Sequence, residues 1–105
     1  MIIKKDNTTR REFKGVDFEL MATGTKIMVT KMNYQAGDKV PEHSHYNEQA
    51  GYIVSGEIRL TFGKYDEILS SGDSYVIPGN TAHCVEVLKP GEVIDMFTPP
   101  REEYI

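Results

Sequence analysis

The sequence predicts an all-β fold, a single small barrel, and three observations predict it. Apolar and polar residues alternate with a period of two, as Val16, Phe18 and Leu20 do against Asp17 and Glu19. Turn residues recur along the chain: Gly24-Thr25, Ala36-Gly37-Asp38, Ser55-Gly56, Ser71-Gly72-Asp73, Pro78-Gly79-Asn80 and Lys89-Pro90-Gly91. No stretch carries a sustained apolar repeat at helical spacing. Many short strands between Gly-rich turns make a sandwich or a closed barrel.

Taken in order, Val16 to Leu20 is the first strand. The run from Lys26 to Tyr34 is the next, with Met28, Met32 and Tyr34 on one face. Gly51 to Val54, the turn Ser55-Gly56 and the return strand Glu57 to Phe62 form the clearest hairpin signal. Ile58, Leu60 and Phe62 share one side of that return strand. Ser74–Ile77, Cys84–Leu88 and Val93–Thr98 complete the series. Pro99-Pro100 cannot continue a central strand, so the tail to Ile105 is predicted as an irregular turn against the barrel. All 105 residues are expected to form one domain.

The net charge is −4, and Lys4-Lys5 and Arg10-Arg11 are the only basic pairs near the N-terminus, each beside an acid. Such a surface repels a duplex or an anionic membrane, which argues against both as partners. Cys84 is the only cysteine, so no intrachain disulfide forms and a reducing compartment is expected. Met1 to Asp6 lacks the apolar core of a signal peptide, and no apolar run reaches the roughly 18 residues of a membrane span. A cytoplasmic location follows as an expectation.

The chemistry concentrates in the histidines. His43-Ser44-His45 is a strand-spaced pair whose imidazoles point the same way if the strand is continuous. Gln49 shares their parity and Glu48 does not, although a bend after His45 would overturn that. His83, just past Pro78-Gly79-Asn80, would close the site from across the barrel. Three imidazoles and a carbonyl oxygen suit one divalent ion, Zn, Ni, Mn or Fe, and nothing in the set selects among them. With no thiolate present, an Fe–S cluster is excluded. Glu48 competes with Gln49 as the fourth ligand.

At these residues the sequence resembles the cupins. Their first motif, G-x5-H-x-H-x3,4-E-x6-G, is met by Gly37, His43, His45, Gln49 and Gly56, with Gln49 in place of the glutamate. Their second, G-x5-P-x-G-x2-H-x3-N, is met by Gly72, Pro78 and His83, with Asn80 and Val87 departing from it. The resemblance spans residues 37 to 87. It implies a double-stranded β-helix barrel, usually dimeric, with a metal inside the cup held by His43, His45, Gln49 and His83. The run Asp95 to Tyr104 further resembles the tail of the small pectin-degradation cupins, which open unsaturated monouronates to the linear keto sugar acid. That resemblance implies Asp95 as acid/base, Phe97 as a pocket aromatic and Arg101 as the arginine of the site.

The residues allow that chemistry. If Asp95 and Phe97 face inward, desolvation raises the carboxyl pKa toward neutrality; if outward, Asp95 is an ordinary surface acid. Arg101 either grips an anionic small-molecule substrate with its planar fork or pairs with Glu102 or Glu103 on the surface. Cys84, of opposite parity to His83, reads as a small buried apolar residue. Tyr34, Tyr52 and Tyr75 either line the cup or fill the core. A metal-dependent dioxygenase and a non-catalytic sugar-binding cup remain as other readings. Barrel strands such as Ile2-Ile3 and Phe13 to Leu20 offer more apolar surface than so small a core absorbs, and with the pairing that the resemblance implies, a homodimer with twofold symmetry is expected.

Overall fold

The computed structural model describes residues 1–105 as ten strands in two antiparallel sheets, with no helix long and apolar enough to cross a membrane. In chain order the strands are β1 (Thr9–Phe13), β2 (Val16–Thr23), β3 (Met28–Tyr34), β4 (Lys39–His43) and β5 (Glu48–Ile53). There follow β6 (Glu57–Phe62), β7 (Tyr65–Ser70), β8 (Ser74–Ile77), β9 (His83–Lys89) and β10 (Gly91–Thr98). One sheet has the order β1-β2-β3-β10-β5-β8, the other β4-β9-β6-β7. They face each other as the two walls of a β-barrel, the all-β fold expected.

Alternation decides which residues fill the barrel. Met28, Thr30, Met32 and Tyr34 of β3 turn inward, as do Val93, Asp95 and Phe97 of β10. Phe18, Ile53, Ile58 and Ile77 join them in one core cluster. Because a strand has a strict period of two, the residues between them, Val29, Ile94 and Met96, form the outer face.

Three expectations are corrected here. Ser55-Gly56 does not close a hairpin: β5 pairs with β8 and β10, while β6 pairs with β7 and β9. Gly56, at φ 84°, is a corner where the chain changes sheets, and it lies so close to Lys89, Pro90 and Gly91 that no side chain fits. Hairpins form instead at Lys14-Gly15 and Gly63-Lys64, where Lys14, Gly15 and Gly63 have positive φ. Secondly, Ile2-Ile3 is not a strand, and Phe13 to Leu20 is broken by the Lys14-Gly15 turn. Val16 and Phe18 go into the core, and the exposed Ile2 lies outside any strand. The surplus lies on the outer face of β3, β10, β5 and β8, where Tyr52 and Val76 stand out. Lastly, Cys84 is half-exposed on the outside of β9, not buried.

The tail behaves as expected. Residues Glu102–Tyr104 make a single 3₁₀ turn whose Tyr104 is buried against Phe13, Phe18 and Phe97. Arg11 Nε donates to the Tyr104 carbonyl at 3.1 Å, and Asn47 Nδ2 donates to the Pro99 carbonyl at 2.6 Å, fixing both ends of the segment.

Candidate functional site

The three histidines meet at one end of the barrel, by a route other than strand parity. His43 ends β4 and His83 begins β9, directly opposite each other in the ladder. His45 lies beyond β4, in the bend leading to β5, so the pair does not share a continuous strand. The bend turns the ring back toward His83, and the ligand nitrogens of all three lie within 4.8 Å of one another. Sequence spacing therefore singled out three residues that the fold brings together, for an incomplete reason.

Each imidazole is aimed by a backbone carbonyl two residues away. His43 Nδ1 donates to Pro41 O at 3.0 Å, His45 Nδ1 to Asn47 O at 3.0 Å, and His83 Nδ1 to Thr81 O at 2.8 Å. A carbonyl only accepts, so the proton is on Nδ1 and the Nε2 lone pairs are left for the centre. Burial holds the His43 ring down to about 4, with the neighbouring His83 and Arg101 charges acting the same way against the opposing Pro41 carbonyl. His45 and His83 are lowered too, again chiefly by desolvation. Neutral imidazoles are what a metal ligates.

Two observations show that these residues fit an ion. The Nε2 atom of His83 is buried and has no hydrogen-bond partner, a condition that costs about 1–3 kcal/mol unless something fills it. His45 Nε2 faces Gln49 Oε1 at 3.2 Å, which sets two acceptors against each other, since the His45 proton is on Nδ1. A cation between them satisfies both.

Gln49 is buried on β5 and Glu48, its neighbour, is exposed on the other face. The Gln49 side chain is also close enough to Asp95 and Tyr75 to favour the charged form of each. Asp95 is only 3% exposed, so of its two possible orientations it takes the inward one. Burial pushes its carboxyl up to about 6, against the lowering effects of the Tyr75 hydroxyl, the Gln49 amide and the Arg101 charge. Phe97 sets its edge against His45, ring centres 5.6 Å apart at 74°.

Arg101 is 5% exposed and thus no surface residue, though it does pair with Glu103 through Nε. Its Nη1 donates to the Tyr104 hydroxyl at 2.8 Å, and its guanidinium lies over the rings of Tyr104, Phe13 and Phe97. Such stacking suits a planar, weakly hydrated cation. Tyr34 lines the cup as one alternative had it, whereas Tyr52 points outward. The sequence reading missed Tyr104, Phe13 and Asn47. The first two carried a signal only in hindsight, as aromatics flanking Arg101 in space. Asn47 hid in a bend that looked like strand.

The cup bordered by His43, Gln49, His83, Asp95, Arg101 and Tyr104 is nearly full. Its free space is about 20 Å³, a little more than one water needs. A ligand larger than an ion with a water does not fit wholly within that space, and the Arg101–Tyr104 segment is the part of the lining that lies outside the strand ladders.

A family model described as "Cupin domain" matches residues 30–98. The transcriptional regulator PuuR of Escherichia coli is 29% identical over 94% of this chain, and the chain spans 57% of that protein's length. Among solved structures, an RmlC-like cupin from Shewanella frigidimarina superposes with a TM-score of 0.91 at 24% identity, covering 99% of this chain and 95% of its own. KdgF from Halomonas superposes with a TM-score of 0.90 at 25% identity, covering 100% and 98%.

Proposed function

This chain belongs to the cupin family, and on that basis we propose that it is a metal-dependent enzyme opening 4,5-unsaturated monouronates to the linear keto sugar acid. The observation that carries the reading is Asp95. It is a buried carboxyl poised near neutrality, beside Gln49 and across the cup from Arg101. The resemblance of the Asp95–Tyr104 run to the pectin-degradation cupins supports it, as does the end-to-end likeness to KdgF.

A metal ion held by His43, His45, His83 and Gln49 supplies a Lewis acid when bound. Arg101 directs its remaining N–H groups to the substrate carboxylate, whose charge replaces the water excluded by the surrounding rings. Asp95 takes the proton of the anomeric hydroxyl as the ring C–O bond breaks and the aldehyde forms. It returns that proton to the ring carbon that was doubly bonded, and the former ring oxygen becomes the ketone. One proton moves, no electron is gained or lost, and no oxygen is consumed.

The test follows loss of the conjugated enol's ultraviolet absorbance, with the spontaneous rate subtracted. Asp95→Asn should lower kcat by about 10²–10⁴-fold with metal content unchanged, because the amide keeps the shape but cannot carry the proton. Arg101→Lys should act mostly through a raised KM, since it keeps the charge and loses the fork. A wild-type rate no faster than background overturns the proposal, and oxygen uptake in its place indicates a dioxygenase. The alignment with PuuR favours a second reading, a cup that binds a small ligand without turnover. Saturable binding of the uronate with no reaction is its signature.

A further inference from the structure

We propose that Tyr75 is the positioning residue of Asp95, and that Gly51 is the opening through which it reaches. The kinetic arm of this inference rests on the ring-opening reading; the geometric arm does not. One row crosses four neighbouring strands: Thr30 on β3, Asp95 on β10, Gly51 on β5 and Tyr75 on β8. Tyr75 and Asp95 are two strands apart, about 10 Å between backbones, beyond the reach of a side chain that stands upright. The tyrosine lies down along the row instead, and its hydroxyl donates to Asp95 Oδ1 at 2.5 Å.

Gly51 makes that crossing possible. A Cβ there would fall inside the Tyr75 ring. The glycine is not demanded by its backbone, since Gly51 is not among the residues of positive φ. A glycine in a strand interior otherwise weakens the strand, so its place here answers to the ring. On the far side of the row, Thr30 Oγ1 donates to the Asp95 carbonyl at 3.0 Å and pins the backbone that carries the carboxyl. With Oδ1 engaged, the carboxyl cannot turn, and the proton travels on the second oxygen.

The Tyr75 ring meets Asp95 on one side only. Its other surface borders an apolar cleft between β7 and β8, lined by Leu60, Phe62, Leu69 and Val76. Tyr75 thus separates Asp95 from that cleft. Phenylalanine at 75 would keep the wall and lose only the aim.

Tyr75→Phe and Gly51→Ala therefore make the test, each as the metal-loaded protein. Proton NMR of the wild type should show a strongly downfield hydroxyl resonance, absent in Tyr75→Phe and lost in Gly51→Ala, where the ring is pushed aside. Tyr75→Phe should lower kcat by about 10- to 100-fold, the scale of a misplaced catalytic group, with KM and metal content unchanged. No such resonance in the wild type, or kcat in Tyr75→Phe within about twofold of it, overturns the inference. A wild type without turnover sinks the ring-opening reading alone, and the resonance in the wild type and the two variants then decides whether Tyr75 holds Asp95.

Discussion

Gln49 offers two different atoms to two sides of the cup. Its carbonyl oxygen faces His45 Nε2, and its amide lies against Asp95 and Tyr75. A glutamate in its place would have no N–H to offer and would set a second negative charge beside a buried carboxyl. The departure from the usual cupin motif is thus matched by what stands behind it. Gln49→Ala should weaken metal affinity by about 10-fold or more, a loss that even outer partners of metal ligands command. Glu48→Ala, on the exposed face, should leave it unchanged. A metal titration giving the reverse order transfers the ligand role to Glu48. At this scale the sequence was informative about identity and poor about geometry. His43, His45 and His83 are few and chemically distinctive, so spacing singled them out. That His45 reaches the centre from a bend depends on Asn47, whose buried amide and carbonyl hold that bend and which no periodicity marks.

Among the elements, the inward-facing strands were legible and the outer ones were not. β3, β6, β9 and β10 alternate because one face is buried, and alternation is visible in a sequence. β7 is almost wholly exposed and shows no pattern; it is held by its ladder to β6 and by a bidentate Arg59–Asp66 pair, 2.7 Å at each contact. The Ser55-Gly56 corner has the local chemistry of a hairpin turn, and only the proximity of the β9–β10 connection makes it a sheet change. β2 and β3 carry a further feature on their outer side. Glu19 accepts from Thr8 Oγ1 at 2.7 Å and from Asn33 Nδ2 at 2.9 Å, and pairs with Lys31 at 3.2 Å. These partners, Asn33 first, hold its carboxyl down from 4.5 to about 2. A depressed carboxylate stabilises the folded state above its unfolded pKa and loses that contribution as pH falls through the folded value. Glu19→Gln should accordingly cost about 1–2 kcal/mol at pH 7, the worth of charged hydrogen bonds. The gap should narrow from about pH 4.5 and close near pH 2. Thermal melts showing a gap that widens in acid would contradict this.

For the whole molecule, the unpaired resource is the outer face of β3, β10, β5 and β8. Ile94 stands opposite Tyr52, and Met96 lies between Val29 and Ala50, with Val76 next in the row. An apolar sheet face of this kind can pair with its own copy about a twofold axis, and we expect a dimer through it. Light scattering at micromolar concentration should give twice the 11.9 kDa chain mass, and Ile94→Lys should return it to the single value while leaving the metal site intact. A wild-type mass of 11.9 kDa refutes the dimer.

The near-full cup has a consequence for timing. Arg101, the group proposed to recognise the anion, lines the cup beside Tyr104 on the segment that follows β10. If that segment has to move for a ligand to bind, recognition and admission become a single event: a ligand without a negative charge has nothing to exchange for the contacts it must break. Selection of this kind is made at the threshold, by whether the segment yields, before the shape of the interior is ever consulted.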